Sequence, residues 1–236
     1  MVISVLKIVF VALFTAIISS LVIVAAVLFR SSDRVYRLSR FHARTLLKVC
    51  GVKLNVTGLD SLKFTRNYIY IANHASLFDI PAVIAGLPDH IRFVYKKELN
   101  KIPFLGWGLK YSRVYIPIDR GRSQDALQTL ERTIKKIREG DSVILFAEGT
   151  RTPDGRLQQF KRGAFNLAVK ANVPVVPLTI NGSYSVLSRN SMRLRPGTIS
   201  ITIGKPIVPP GANGKSSELQ LRDEVRRVIE QHYTDQ

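Results

Sequence analysis

The stretch Tyr68-Ile-Tyr-Ile-Ala-Asn-His-Ala-Ser-Leu-Phe-Asp79 decides how the rest of the chain is interpreted. Its first half is apolar and β-branched, which predicts a short buried strand. Its second half turns polar, and His74 is followed five positions later by Asp79. Because α/β proteins place their chemistry at strand ends, we expect a turn to bring Asp79 back to one ring nitrogen of His74. A histidine oriented by a carboxylate is a minimal general base, since its other nitrogen stays free to accept a proton.

The chain of 236 residues is strongly basic, with 35 Lys and Arg against 17 Asp and Glu and a net charge of +18. Such an excess of cations fits a nucleic acid, an anionic membrane surface or an acidic substrate. We expect no nucleic-acid partner, because the basic residues cluster beside an apolar segment and at strand ends, without a recognisable recognition helix. The single cysteine, Cys50, fits a reducing compartment, since it cannot form an internal disulfide.

Residues 1–30 are expected to form an N-terminal membrane anchor. The run from Ile8 to Phe29 is uncharged and long enough to cover the ~30 Å hydrocarbon layer of a bilayer. It exceeds the apolar length of a signal peptide and lacks a following cleavage site, which favours an uncleaved anchor over a cleaved signal. The sequence leaves open whether the segment spans the bilayer or lies half-embedded. Basic residues follow it, which predicts a location on the cytoplasmic face of the inner (plasma) membrane.

Residues 31–50 mix basic and apolar side chains at helical spacing. The basic members are Arg34, Arg37, Arg40, Arg44 and Lys48. The pattern predicts a basic amphipathic juxtamembrane helix, drawn to anionic headgroups by ~1 kcal/mol per nearby cation. A solvated charged helix is the alternative. The remaining 51–236 are enough for one domain with one core.

Beyond residue 50, short β-branched runs alternate with amphipathic helical patterns. The expected strands are 52–56, 68–72, 91–95, 114–118, 143–146, 173–180 and 199–203. The expected helices include 79–85, 123–139, 163–171 and one starting near 217, with a turn or short helix at 103–107. This alternation predicts a single α/β domain whose mixed, largely parallel sheet is flanked by helices.

Polar clusters follow four of these strands: Asn73 with His74, Lys96 with Lys97, Asp119 with Arg120, and Glu148 to Arg151. If the four ends share one edge of the sheet, they form a pocket with one base and several cations. Such a pocket is suited to binding a phosphate and deprotonating a hydroxyl near it. Taken singly, each cluster also has a plain explanation, such as a packed histidine, a local ion pair of Glu148 with Arg151, or a solvated lysine face.

The ordered set of motifs resembles that of the glycerolipid acyltransferases. Asn73 to Asp79 matches their NHxxxxD motif, and Phe146-Ala-Glu-Gly-Thr-Arg151 is similar to their FPEGTR motif. Ile118-Asp-Arg120 resembles the end of the second motif, and Val173 to Pro177 resembles the fourth. The best-known members are 1-acylglycerol-3-phosphate O-acyltransferases. The resemblance implies a glycerol-phosphate acyltransferase-like fold and makes 51–236 the acyltransferase domain.

The resemblance also implies direct acyl transfer from acyl-CoA or acyl carrier protein to the sn-2 hydroxyl of lysophosphatidate, at a membrane and without a cofactor or metal. His74 is the implied general base, and Asp79 orients it. The residues implied to bind substrate are Lys96, Arg120, Glu148, Gly149, Thr150 and Arg151. Asn73 and Ser76 support the motif.

Two other functions stay open. The same chemistry could act on another lysolipid, such as a lyso-ornithine lipid, because the motifs do not separate acceptors. A non-catalytic lipid-binding membrane protein could use the same pocket. The intact pair of His74 and Asp79 favours an enzyme over this last function.

Overall fold

The computed structural model describes residues 2–118, 123–211 and 214–235. The helices are α1 Val2–Val27, α2 Ser32–Cys50, α3 Asp79–Gly86, α4 Leu105–Ser112, α5 Ser123–Arg138, α6 Arg162–Ala171, α7 Ser183–Val186 and α8 Lys215–His232. The strands are β1 Val52–Thr57, β2 Ile69–Ala72, β3 Ile91–Lys96, β4 Ile116–Ile118, β5 Ser142–Phe146, β6 Val175–Asn181 and β7 Gly197–Ile203. Two short 3-10 helices, Leu59–Ser61 and Lys97–Lys101, complete the described elements.

In the described part of the chain, seven strands form one sheet in the order β1-β7-β6-β2-β5-β3-β4. Strands β6, β2, β5, β3 and β4 are parallel to one another, whereas β7 is antiparallel to β6 and parallel to β1. The sheet is therefore mixed and largely parallel, which confirms the predicted fold class. Its five parallel strands bring their carboxyl ends to one edge.

Strand β2 lies at the centre of the sheet and is buried on both faces, which is why Ile69 to Ala72 are all apolar or aromatic. Tyr70 and Ala72 face a core shared with α2 and α3. Ile69 and Ile71 face the opposite core, shared with α6 and α8. Helices thus cover both faces, and the carboxyl end of β2 is the place along this strand where polar side chains gather.

Helix α1 packs along α2 and α4 instead of projecting from the domain. Its Lys7 Nζ donates to the Cys50 carbonyl at 3.4 Å, and Thr15 Oγ1 lies 2.9 Å from His42 Nε2. Gly108 of α4 approaches α1 so closely that an added Cβ would lie 3.0 Å from Ser19 Cβ. Ile18, Val22 and Ala25 are buried in a small core of their own with residues of α2. The opposite side of α1 is apolar and exposed.

Several element bounds differ from the expected ones for local reasons. The segment predicted as a turn or short helix at 103–107 contains the start of α4 at Leu105, and this helix continues to Ser112. Strand β6 begins at Val175 because the preceding Pro174 offers no N–H and uses its carbonyl to accept from Ile69. The last helix begins at Lys215, after an extended Gly214.

Candidate active site

The polar residues predicted to lie together follow neighbouring strands of the parallel part of the sheet. Asn73 and His74 leave β2, Glu148 follows β5, and Lys96 ends β3. Ala72 pairs with Phe146 and Lys96 pairs with Ile118, so these ends are in register at one edge. Asp119 and Arg120 follow β4 in sequence but lie outside the described residues.

His74 and Asp79 form a hydrogen-bonded pair at this edge. Nδ1 of His74 lies 2.7 Å from Oδ2 of Asp79, as the five-residue spacing predicted. An ionised carboxylate can only accept, so the shared proton belongs to Nδ1, and Nε2 has the free lone pair. The His74 side chain is 15% exposed and that of Asp79 is fully buried. The arrangement offers one basic nitrogen to a reactant while its orienting group stays dry.

The Asp79 carboxylate is fixed by the turn that precedes α3. Its Oδ2 accepts main-chain N–H groups of Ala75 at 2.8 Å and Ser76 at 2.9 Å, in addition to His74. Its other oxygen, Oδ1, is buried with no hydrogen-bond partner in the described part of the chain. Asp79 is also the first residue of α3, where the helix dipole favours a negative charge. Because its charge is fixed in position and poorly solvated, Asp79 is suited to stabilise an imidazolium on His74.

The ring of Phe146 packs against the face of the His74 imidazole. The two rings stack with centroids 3.9 Å apart and planes 16° from parallel. Together with the Asp79 hydrogen bond, the stack fixes the ring plane of His74. This role of Phe146 was not predicted from the sequence. The signal was available, because parallel pairing of the two motif strands places the last residue of β5 beside the residue before Asn73.

Asn73 and Ser76 use their side chains to shape the loop between β2 and α3. Asn73 Nδ2 donates to the Ile180 carbonyl and its Oδ1 accepts from the Ile180 amide, each at 2.8 Å. These two bonds continue the pairing of β2 with β6 by one residue. Ser76 Oγ donates to the Leu187 carbonyl at 2.7 Å and accepts from the amide of Phe78 at 3.2 Å. Both residues therefore support the position of His74 without facing it.

Glu148 is buried and accepts two main-chain hydrogen bonds. The His74 amide donates to Oε1 at 2.7 Å, and the Gln158 amide donates to Oε2 at 3.2 Å. Burial raises its pKa from 4.5 to about 7, although both hydrogen bonds and Arg226 act to lower the pKa. Among the ion pairs of the described residues, none joins Glu148 to Arg151. The carboxylate thus ties the His74 backbone to the following loop.

That loop, from Glu148 to Phe160, closes on itself and is called the Arg151 loop below. The Lys161 amide donates to the Ala147 carbonyl at 2.8 Å across its base, as in a compact Ω-loop. Gly149 has φ +71°, which favours a residue without a Cβ. Thr150 is exposed and Arg151 is half-buried. The Thr152 amide donates to the His74 carbonyl at 2.9 Å, so both main-chain polar groups of His74 bond to this loop.

Lys96 stands at the outer side of the edge. Its exposed ammonium lies 3.1 Å from Oε1 of Glu98, a surface ion pair that contributes little to stability. The cation therefore remains available to an anionic ligand. Within residues 2–118, 123–211 and 214–235, no three His, Cys, Asp or Glu side chains are grouped to hold a metal ion.

Comparison with known proteins places these features in a family. The family model described as Acyltransferase matches residues 53–181, which include the paired His74 and Asp79 and the Arg151 loop. A chloroplastic 1-acyl-sn-glycerol-3-phosphate acyltransferase of Brassica napus is 35% identical over 75% of this chain and 50% of its own length. The enzyme of that name from Saccharomyces cerevisiae is 32% identical over 71% of this chain and 55% of its own length.

The crystal structure of the 1-acyl-sn-glycerophosphate (LPA) acyltransferase PlsC from Thermotoga maritima matches with a TM-score of 0.77 and 28% identity. The match covers 97% of this chain and 95% of that one. The chain spans about half the length of the first curated relatives that it matches. The family match covers more than half of the chain, and the motif residues predicted from sequence fall within it. This chain belongs to the acyltransferase family.

Proposed function

We propose that this protein transfers an acyl group from a thioester to the sn-2 hydroxyl of 1-acylglycerol 3-phosphate, giving phosphatidate. The observation that carries the proposal is the 2.7 Å hydrogen bond between His74 Nδ1 and buried Asp79 at the carboxyl edge of the sheet. Relatives named as 1-acyl-sn-glycerol-3-phosphate acyltransferases support the choice of acceptor. No Ser or Cys nucleophile is required, because the acceptor hydroxyl itself attacks the thioester.

In the proposed mechanism, Nε2 of His74 removes the proton of the acceptor hydroxyl as its oxygen attacks the thioester carbonyl carbon. A C–O bond forms, the C–S bond breaks, and the thiolate leaves with the electron pair. The imidazolium then returns the proton to the thiolate or to solvent, which restores the base. Asp79 stays ionised throughout, since its task is to hold the Nδ1–H tautomer and stabilise the imidazolium. Holding the hydroxyl and thioester together lowers the barrier further through proximity.

The acceptor phosphate is assigned to the cations around this edge. Arg151 emerges from the loop that bonds to the His74 backbone, and its planar guanidinium suits bidentate contact with a phosphate. Lys96 contributes an exposed point charge from the adjacent strand β3. Arg120 is assigned with them by sequence. Gly149 and Thr150 belong to the same loop as Arg151 and are assigned to the acceptor with it. Glu148 is assigned to holding His74 and the loop, since both of its oxygens already accept main-chain donors.

We also propose that the protein is membrane-bound through α1, which lies half-embedded along the bilayer surface. The 23 residues Val5–Val27 are long and apolar enough to cross a membrane. However, α1 packs along its length on α2, whose Arg34, Arg37, Arg44 and Lys48 are exposed. A perpendicular α1 would carry those cations into hydrocarbon, which is costly. Lying flat, α1 buries its exposed apolar side in lipid and leaves the cations of α2 to anionic headgroups, on the cytoplasmic face.

The testing experiment is a lysolipid panel with two donors. Purified protein in mixed micelles receives palmitoyl-CoA or palmitoyl-acyl carrier protein, with lysophosphatidate, lysophosphatidylcholine, lyso-ornithine lipid or glycerol 3-phosphate as the acceptor. We expect acylation of lysophosphatidate to exceed that of each other acceptor by at least tenfold in kcat/KM. A preference for lyso-ornithine lipid would show that this lipid, and not lysophosphatidate, is the acceptor. Absence of transfer to every acceptor would favour a lipid-binding protein. The two donors compared side by side decide which thioester is used.

A further inference from the structure

Among the described residues, four side chains hold the Arg151 loop from outside, and each donates to a main-chain carbonyl of the loop. The acceptors are the carbonyls of Arg151, Pro153, Gly155 and Gln158, with donors Arg189, Tyr184, Tyr233 and Arg226 at 2.9, 3.0, 2.7 and 3.1 Å respectively. Two donors follow β6, and two come from α8 and the residue after it. The loop that bears Arg151 is therefore docked both onto the segment that follows β6 and onto α8 with the residue after it.

Tyr233 makes the shortest of these contacts, and its own position is fixed on both sides. Asn181 at the end of β6 donates through Nδ2 to the His232 carbonyl at 2.8 Å and accepts through Oδ1 from the Thr234 amide at 3.2 Å. These bonds clamp the backbone on either side of Tyr233 and aim its hydroxyl at Gly155. Burial, with a smaller effect of the Glu148 carboxylate, raises the pKa of Tyr233, so the hydroxyl keeps the proton that it donates.

The part of the loop that Tyr233 holds is rigid within itself. Gln158 Nε2 donates to Thr152 Oγ1 at 3.3 Å and to Asp154 Oδ1 at 3.2 Å, and Thr152 Oγ1 donates to that same oxygen at 2.9 Å. A displacement of Gly155 therefore also displaces Thr152, which is the neighbour of Arg151. Arg226 holds the other side of this unit through the Gln158 carbonyl, with its guanidinium 5.2 Å from the ring centroid of Phe160.

We infer that Tyr233, supported by Arg226, is a positioning residue for Arg151 and so sets the affinity for the phosphate of the acceptor. The inference rests on the proposed function, which gives Arg151 its phosphate. It differs from a general role in catalysis because the plane of the His74 ring is fixed by Asp79 and Phe146, neither of which lies in the docked part of the loop. Among the described residues, the hydrogen bonds from that part to His74 reach only its backbone, through the Thr152 amide and through Glu148. Loss of the Tyr233 contact should disturb phosphate binding more than proton transfer.

The test compares Tyr233→Phe with Thr234→Ala, which removes a neighbouring hydroxyl but keeps the Thr234 amide that bonds to Asn181. For Tyr233→Phe we expect the KM for lysophosphatidate to rise about threefold to tenfold, the factor typical of one lost hydrogen bond. The kcat and the KM for the thioester should stay within about twofold of wild type. Arg226→Gln should shift the same parameter in the same direction, and Thr234→Ala should leave all three unchanged.

Limited trypsin digestion supplies a readout that does not depend on activity. Arg156 is exposed and adjoins Gly155, so cleavage after it reports opening of the loop. Tyr233→Phe should be cut there several times faster than wild type, with an unchanged Tm. Equal cleavage rates for Tyr233→Phe and wild type would overturn the inference. Faster cleavage of the variant without a change in its KM for lysophosphatidate would also overturn it, and so would a fall in kcat with that KM unchanged. Wild-type protein that acylates no lysophosphatidate would instead defeat the proposed function, and the cleavage rates would still report whether Tyr233 holds the loop.

Discussion

The main-chain amide of His74 donates a 2.7 Å hydrogen bond to Oε1 of Glu148. The two residues belong to motifs that lie 74 positions apart in sequence, and parallel pairing of β2 with β5 brings them together. Since the Thr152 amide also donates to the His74 carbonyl, the backbone of the proposed base is tied on both sides to the loop proposed to bind the acceptor. These bonds fix the position of the proposed base, His74, relative to the loop proposed to bind the acceptor. Acyl transfer to a positioned hydroxyl requires such a fixed arrangement.

Replacing Asp79 by Asn should separate orientation from charge. The amide oxygen can still accept from Ala75 and Ser76, so the turn before α3 should keep its shape. The same oxygen position also accepts the Nδ1–H of His74, so the ring keeps its tautomer, but the neutral side chain no longer stabilises an imidazolium. We expect kcat to fall by about 10²- to 10³-fold with both KM values within about threefold of wild type, because only the electrostatic stabilisation is lost. Steady-state kinetics measure this, and a variant that keeps more than a tenth of wild-type kcat would exclude the assigned role.

The raised pKa of Glu148 predicts a pH-dependent contribution to stability. The folded protein binds this proton up to about pH 7, whereas the unfolded chain releases it near pH 4.5. The stabilising effect of the protonated, buried carboxyl is therefore full below pH 4.5 and is lost as the pH rises to about 7. The shift corresponds to at most about 3 kcal/mol, and water reaching the carboxylate would reduce it. The charges that also act on this pKa are Asp79, which raises it, and Arg226, which lowers it.

Thermal unfolding of wild type and Glu148→Gln between pH 5 and pH 8 measures this contribution. The glutamine side chain has no proton to exchange, so the free energy of unfolding of wild type minus that of the variant should decrease from pH 5 to about pH 7 and then level off. Glu148→Asp serves as the control, because it keeps a titrating carboxyl on a shorter side chain. A difference that is constant with pH, or one that increases with pH, would show that Glu148 is not protonated in this range.

Arg151→Ala should weaken binding of the acceptor far more than binding of the donor. A hydrogen bond to a charged group is worth ~1.5–3 kcal/mol, so we expect the KM for lysophosphatidate to rise about 10- to 100-fold. Arg156→Ala is the matched control, since Arg156 is an exposed arginine of the same loop and its charge is the same. Initial rates with each substrate varied in turn give both constants. A rise confined to the thioester KM would place Arg151 on the donor instead.

The flat orientation of α1 predicts how charges on its exposed side affect membrane binding. Leu13 and Leu21 are 63% and 46% exposed, so Glu at both positions should leave the contacts with α2 and α4 in place. The double variant should shift from the membrane pellet to the supernatant in liposome sedimentation, because two carboxylates would enter the acyl region. Gln231→Glu, an exposed site on α8, adds the same type of charge and should stay with the liposomes. Retention of the double variant in the pellet would contradict the orientation.

The sequence was sufficient for the architecture around the site but not for its internal contacts. Strand β2 could be predicted because a run of apolar residues at Ile69 to Ala72 is typical of a strand buried on both faces. The approach of Asp79 to His74 followed from their spacing across a turn. The orientation of Glu148 could not be predicted, since it depends on the register between β2 and β5 and on a loop that returns to place the Gln158 amide. Sequence distance alone would pair Glu148 with Arg151.

Long-range packing also explains what was missed elsewhere. The contact of Tyr233 with Gly155 joins residues 78 positions apart through the ends of α8 and β6, and neither residue lies in a recognisable motif. The packing of α1 depends on the close approach of Gly108 to Ser19, which composition does not reveal. Apolar length therefore predicted a membrane segment, whereas only the tertiary contacts indicate that it lies along the domain.

The most direct test of the central claim is the rate of acyl transfer to lysophosphatidate by His74→Ala. The matched control is His90→Ala, because His90 is another histidine beside an aspartate, with its Nε2 3.7 Å from Oδ1 of Asp33, away from the sheet edge. Circular dichroism first establishes that both variants are as folded as wild type. We then predict that His74→Ala loses at least about 10³-fold in kcat while His90→Ala retains wild-type activity. His74→Ala with undiminished transfer would show that another group removes the proton and would contradict the account.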